Sequence, residues 1–463
     1  MRIKSVIFSA IFLAALATPV AAWDTSRSIV RIKSNLVGRT VMQSICAQLQ
    51  CEILHSLDTL PGETGPSSLF VVRNLPAPSL SVNYDLLGIE AVEADLPAWL
   101  ADEPWGVSQA TAAVLDALAD HTPATYYGST AWQSYLGQPA STIVRVSDAH
   151  CALRATGGGT VAIVDTGVDV DHPTLTPVLT AGYDFTRDVP GGDEKADVGG
   201  SPGGTPDGVY GVNQATAAVL DQATAAVLDD STLADFGHGT MVAGVVHLVA
   251  PTAHIMPLKA FASDGTGYTS DIIRAIVYAA QSGANVLNMS FSRGTPSPEL
   301  ERAIDNAASF GVIPVASAGN DGRPTLMYPA AYDNVMGVAS TADDDARSSF
   351  SNYGSNLVWV AAPGEGIITT FPWGTFAGAW GTSFSAPMVS GAAALLVGLE
   401  STATYGEVSS AVAQAQPLTA DLGFGRLDLY QAVSAGRGLW PSAAESPIPD
   451  TCDSTHVDWA TGP

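Results

Sequence analysis

Between residues 132 and 435 the chain is written in short apolar runs bounded by Gly, Pro and Asn: TVAIVD, HIMPLKAF, NVLNMSF, VIPVASAG, VMGVAS and LVWVAAPG. Apolar runs of this length, without polar alternation, suit strands buried on both faces. Stretches with helical spacing separate them: GTMVAGVVHLV, TSDIIRAIVYAAQSG and PELERAIDNAASFG. Strand alternating with helix predicts an α/β architecture, a mostly parallel sheet with helices on both faces. Two more helical stretches, SAPMVSGAAALLVGL and RLDLYQAV, close this region, and beyond Gly436 the text turns rich in Ser, Pro and Asp.

Upstream the rhythm differs. SIVRIKS alternates as a half-buried strand does, VGRTVMQSICAQLQC has helical spacing, and SSLFVVRNL and GIEAVEADLPAWL add short strands. This predicts a small α/β unit from Ser26 to about Ala101, followed by a polar, Gly- and Ala-rich connection to about Thr130. The start of the chain carries Arg2 and Lys4, an apolar stretch Val6 to Leu16, and the small residues Val20-Ala21-Ala22. That order is expected of a cleaved secretory signal, with the chain continuing from Trp23 and no membrane attachment once the signal is removed. The expected divisions are therefore 1–22, 23–125, 126–435 and 436–463, with an insertion at about 186–234 inside the third.

Composition narrows the function. Acidic residues outnumber basic ones 45 to 19, for a net charge of −26. Such a surface repels phosphate backbones, so nucleic acid is not expected as a partner. Export permits disulfides among the four cysteines. Cys46 and Cys51 on one continuous helix would point roughly 140° apart, so they pair only if the helix breaks between them. Cys151 with Cys452 is the other candidate pairing. The octamer QATAAVLD occurs three times, from Gln109, Gln214 and Gln222. A period of eight does not keep its apolar stripe on one helix face, which favours a duplication in surface segments over a repeat architecture.

Four settings carry candidate chemistry. In VAIVDTGVDVDHP a buried strand ends in Asp165, where a carboxylate can orient a histidine. In FGHGTMVAGVV, His238 sits between glycines just before an apolar helix. In GTSFSAPMVSGAAALL, Ser383 opens a helix whose unpaired N–H groups favour developing negative charge, and Pro387 is expected in its first turn. In VASAGNDG, Asn320 follows a strand and can donate its amide to an oxyanion. Each alone has an ordinary explanation as a turn, a cap or a core residue. His172, His247 and His254 lack such settings and read as structural; Ser385 is the local rival of Ser383.

Taken in order, DTGVD, GHGTMVAG, SAGN and GTSFSAP resemble the subtilisin-like serine peptidase family, with weaker agreement through NVLNMS, APG and GFGRLDLYQAV. The resemblance implies a secreted endopeptidase with Asp165, His238 and Ser383 as a triad and Asn320 as an oxyanion donor. It also implies that the unit before Ala101 is an inhibitory propeptide, cut off between Ala101 and Tyr127. Ser290, Phe291 and Ser292 would line one side of the pocket for the residue before the cut. Ala316 to Gly319, including Ala318 and Gly319, would line the other, with Met327 near its base. No acidic residue falls there, so a broad or apolar preference is expected. Proteins or peptides are the expected substrates, and no cofactor is required for the chemistry. The insertion holds Asp188, Asp193, Glu194, Asp197 and Asp207, and a structural Ca²⁺ is conceivable there; solvated carboxylates are the favoured reading, and metal ligands stay unassigned. The rival functions are an inactive, secreted binding relative and an α/β-hydrolase esterase. The second needs the order Ser, Asp, His, and here the serine comes last.

Overall fold

A computed structural model describes residues 24–63, 65–79, 82–100, 120–198 and 235–443. The proposed signal segment, the octamer copies, most of the insertion and Cys452 lie outside the described residues.

Eight strands form the central sheet, in the order β10-β9-β11-β8-β13-β15-β16-β17. The strands central to the argument are β8 (Thr160–Asp165), β11 (His254–Lys259), β13 (Val286–Met289), β15 (Ile313–Ser317), β16 (Met336–Thr341) and β17 (Val360–Pro363). Every pairing among them is parallel. At one edge β9 (Tyr183–Asp184) pairs antiparallel with β10 (Val189–Pro190). The six parallel strands β8, β11, β13, β15, β16 and β17 are buried almost throughout, which is why their text is continuous rather than alternating.

Helices cover both faces. On one side run α2 (His238–Val249) and α5 (Thr382–Leu399), both buried on nearly all sides and therefore apolar all round. On the other lie α3 (Thr269–Gln281), buried all round through Val277, and α4 (Pro298–Ser309), whose buried residues recur on one face. Two further helices, α6 (Tyr405–Val412) and α7 (Leu429–Leu439), close this region; α6 begins in a capping box of Thr404 and Glu407. α5 has the length and apolarity to cross a membrane, yet 94% of that stretch is buried inside the protein, so it is the core helix.

The N-terminal unit is a four-stranded antiparallel sheet in the order β2-β3-β1-β4, with one helix, α1 (Arg39–Leu49). Its strands are β1 (Arg27–Ile32), β2 (Glu52–Ser56), β3 (Leu69–Arg73) and β4 (Ile89–Ala94). α1 ends at Gln50, which takes the left-handed conformation with φ 58°. That break swings Cys51 back, to a Cα–Cα distance of 4.5 Å from Cys46, and the two form a disulfide. Cys151 is disulfide-bonded as well.

The segment GIEAVEADLPAWL contains two strands in different sheets. After β4 the chain leaves the N-terminal sheet as β5 (Pro97–Leu100), which lies antiparallel between β12 (Thr266–Tyr268) and β14 (Phe291–Ser292). Two antiparallel hairpins escaped the apolar pattern. They are β6 (Pro123–Tyr126) with β7 (Ser129–Trp132), and β18 (Ile367–Phe371) with β19 (Thr375–Ala379).

Candidate active site

The site forms at the carboxyl ends of the parallel strands, where an open α/β sheet holds its ligands. β8 delivers Asp165, which is completely buried. Its Oδ1 lies 2.7 Å from His238 Nδ1 and accepts the Thr166 N–H at 2.8 Å. His238 is the first residue of α2, and the Gly239 N–H donates to Thr166 Oγ1 at 2.9 Å. Glycine is required at 239: a Cβ there would come 2.0 Å from the Gly167 carbonyl oxygen. The imidazole packs on the Phe384 ring with centroids 5.5 Å apart, which brings the end of β8 and the start of α2 to the first turn of α5.

Ser383 is the second residue of α5, and its Oγ donates to the Ser290 carbonyl at 3.3 Å. Pro387 is not in the first turn, as the sequence suggested, but is the sixth residue of the helix. A proline there lacks the N–H that would bond the carbonyl four residues back, that of Ser383. Ser290 Oγ replaces it, donating to Ser383 O at 2.9 Å. Ser290 Oγ in turn accepts from Asn288 Nδ2 at 3.0 Å, and Asn288 Oδ1 accepts from Ser390 Oγ at 2.8 Å. A buried polar chain thus fixes the backbone of Ser383. Ser385 points elsewhere, donating to the Pro363 carbonyl at 3.2 Å.

Asn320 Oδ1 accepts from the Thr382 N–H at 3.0 Å and from Thr382 Oγ1 at 2.9 Å. A backbone N–H only donates, so this contact assigns the amide: oxygen toward Thr382, NH2 toward the other side. Gly319, with φ 93°, donates its N–H to the same Thr382 hydroxyl at 3.1 Å. Ser290, Phe291 and Ser292 run from the end of β13 through β14, all buried. Ala318 and Gly319 follow β15; Asn352 Nδ2 donates to the Ala318 carbonyl at 3.1 Å, and Met327 packs where a Gly319 Cβ would lie, 3.2 Å away.

The carboxylates of the insertion are not all solvated. Glu194 is not a solvated carboxylate but is fully buried beneath the Asp165–His238 pair. It accepts the Gly237 N–H at 2.7 Å, the Thr240 N–H at 3.2 Å, Thr240 Oγ1 at 2.6 Å and the Thr166 hydroxyl. Burial pushes its pKa up to about 7, against hydrogen bonds that pull it down. Asp197 meets the fully buried Lys259 Nζ at 2.7 Å, and that ammonium also donates to the Thr166 and Phe261 carbonyls, each at 2.7 Å. Asp188 pairs with Arg274. These carboxylates hold cations and backbone, and among the described residues no group of three or more His, Cys, Asp or Glu is arranged to hold a metal ion.

Thr166 and Thr382 were not singled out from the sequence, and Glu194 was named only as a carboxylate of the insertion, not as a partner of the site. Thr166 and Thr382 adjoin the aspartate and the serine, and a hydroxyl beside each was the available signal. Glu194 gave none, because its distance in sequence from His238 hides the contact.

An aspartate–histidine pair at a strand end and a serine opening a buried helix, on a parallel sheet, form the arrangement expected of a serine hydrolase of the α/β class. Residues 156–428 match the model of the subtilase family. The chain is 32% identical over 332 residues to a thermophilic serine proteinase of Bacillus sp. (strain AK1), covering 68% of this chain and 73% of that protein. It is 34% identical over 284 residues to thermitase of Thermoactinomyces vulgaris, covering 60% and 88%. With subtilisin BL of Lederbergia lenta it shares 40% identity over 169 residues, 35% of this chain and 62% of that protein. The chain belongs to the subtilase family and is a serine-type peptidase.

Proposed function

We propose that this peptidase is an exported endopeptidase, made as a self-inhibited precursor, with Asp165, His238 and Ser383 as its triad. The 2.7 Å contact between His238 Nδ1 and Asp165 Oδ1, beside the serine-bearing first turn of α5, carries the reading. Ser383 Oγ attacks the scissile carbonyl while His238 takes its proton. Asp165 holds the imidazole and stabilises the imidazolium. Asn320 Nδ2 and the Ser383 N–H receive the oxyanion at the positive end of α5. His238 then protonates the leaving amine, and water repeats the sequence on the acyl-enzyme. Nucleophile, base and oxyanion donors are all protein groups, so the chemistry draws on no cofactor.

Self-inhibition rests on β5. The Leu100 N–H donates to the Gly265 carbonyl at 3.0 Å on one edge, and Leu100 faces Phe291 on the other. An extended segment paired on both edges beside Ser383 occupies the place that a substrate strand needs. The N-terminal unit is anchored at two helix starts. Asp95 accepts from the Ser270 N–H at 2.9 Å and from Ser270 Oγ at 2.8 Å, at α3; Glu93 accepts from Ser297 Oγ at 2.6 Å, at α4. Cleavage beyond Leu100 frees the enzyme.

Purified Ser383→Ala should show no peptide hydrolysis and no labelling by a fluorophosphonate, and should retain the N-terminal unit that wild type removes. Hydrolysis by a clean Ser383→Ala preparation refutes the assignment. N-terminal sequencing of the secreted wild-type product reads the processing; a product still starting near Trp23 refutes the precursor reading.

A further inference from the structure

Arg293 follows directly on β14 and is 5% exposed. Among the described residues its guanidinium is hydrogen-bonded to two hydroxyls, Thr269 Oγ1 at 2.8 Å and Thr295 Oγ1 at 3.5 Å. Its Nε is buried without an acceptor. A buried guanidinium ordinarily has a carboxylate against it. The carboxylates that act on Arg293 through space are Glu93 and Asp95, both on the N-terminal unit and both engaged with helix starts.

The strand register locates this cation. Leu100 faces Phe291 and Trp99 faces Ser292, so the position opposite Arg293 is that of Ala98. Residues directly opposite share a face of the sheet, and Ala98, Leu100 and Phe291 are all buried there. On its other edge Ala98 faces Gly267. Arg293 reaches Thr269, whose N–H donates to the Leu96 carbonyl at 3.1 Å. The guanidinium therefore spans the floor under the Ala98 position, from the end of β14 to the start of α3. A substrate strand in this register places the residue after the Leu100 position against Ser290, whose carbonyl meets Ser383 Oγ at 3.3 Å. The Ala98 position is then the fourth residue before the cut.

We propose that Arg293 forms a carboxylate-binding subsite, so that the processed enzyme selects substrates with Glu or Asp at the fourth residue before the cut. This rests on the reading above that β5 occupies the substrate's place. Loss of the N-terminal unit removes both Glu93 and Asp95 from around Arg293. A substrate strand then buries the guanidinium again. A neutral side chain leaves it without a countercharge, whereas a carboxylate supplies the acceptor that Nε lacks and engages the planar fork.

The test uses processed enzyme, counted by fluorophosphonate titration, and peptides that differ only at this position: Glu, Gln, Leu or Lys. The expected kcat/KM for Glu is about tenfold above that for Gln, with Lys lowest, and the ratio shrinks with added salt. In Arg293→Met the Glu/Gln ratio falls to about one, and Arg293→Lys keeps part of it. Equal rates on Glu and Gln by wild type overturn the proposal, as does a Glu preference that survives in Arg293→Met. A second peptide series varies the residue at the Leu100 position. If neither series alters the wild-type rate, the placement of β5 as a substrate strand fails; if only the second does, the role of Arg293 alone fails.

Discussion

Glu194 ties the end of β8, which carries Asp165, to the start of α2, which carries His238. Glu194→Ala leaves two buried backbone donors, the Gly237 and Thr240 N–H groups, without an acceptor. Each costs about 1–3 kcal/mol. The Thr166 and Thr240 hydroxyls can turn to other acceptors, but the start of α2 also loses an anion, a further loss of about 1 kcal/mol. The sum is roughly 5 kcal/mol, which for a domain of this size lowers Tm by about 10–20 °C. Calorimetry in a Ser383→Ala background, where self-digestion is absent, measures it.

Glu194→Gln isolates the charge. The folded pKa of about 7 lies above the ordinary 4.5 of a glutamate, so the folded state binds the proton more tightly. The associated stability is fully present below pH 4.5, declines as pH rises, and is gone above about 7. At about 1.4 kcal/mol per pH unit the change across that window is roughly 3 kcal/mol. Glutamine does not titrate. Denaturant melts from pH 4.5 to 8 should therefore show wild type losing about 3 kcal/mol relative to Glu194→Gln across the window. A difference that stays constant with pH refutes the raised proton affinity. A loss under about 1 kcal/mol in Glu194→Ala refutes the anchoring role.

Three other outcomes test neighbouring parts. Thr382→Val removes the hydroxyl shared by Asn320 and Gly319, so kcat should fall about tenfold with little change in KM, while Asn320→Leu should cost about 100-fold or more; equal, negligible effects on kcat refute the amide's assignment. Asp165→Asn should lower kcat by about 10³-fold or more while fluorescence and Tm report an intact fold. Asp95→Ala in an N-terminal unit added in trans should weaken its inhibition of the processed enzyme about tenfold, through the lost cap on α3 and the lost partner of Arg27, measured by inhibition titration.

The sheet and its helices were legible because burial on both faces leaves uninterrupted apolar text, as in Val161 to Val164. Asp165, His238 and Ser383 were legible because each interrupts such text at the end of a strand or the start of a helix. Met and Val in α2 say nothing about which anion holds its N-terminus, so Glu194 stayed hidden. The β18–β19 hairpin was missed because both of its strands are buried yet rich in Thr and Gly: Thr369 Oγ1 and Thr370 Oγ1 donate to the Met241 and Thr240 carbonyls, which satisfies hydroxyls that read as surface. Pro387 misled for a related reason. The donor that compensates for it, Ser290, comes from another strand, and a sequence shows the missing N–H without showing its replacement.

β5 shows the same limit from the other side. Its text, PAWL, is apolar because Ala98 and Leu100 enter the core that the peptidase shares with Ile29, Leu57, Leu69 and Val71, not the N-terminal unit's own core around Met42 and Phe70. The edges that receive it, β12 and β14, are short and otherwise unpaired with each other. Once β5 leaves, their N–H and C=O groups need a new strand, and the apolar floor under Leu100 needs a new side chain. On the proposed reading, inhibition and substrate binding draw on the same hydrogen-bonding edges. The anchors at α3 and α4 are what distinguish them, because Asp95 and Glu93 belong only to the N-terminal unit. A short peptide competing for the cleft lacks those two caps, so under the proposed mechanism it should be held more weakly and leave after hydrolysis, whereas the N-terminal unit should stay until it is itself cleaved.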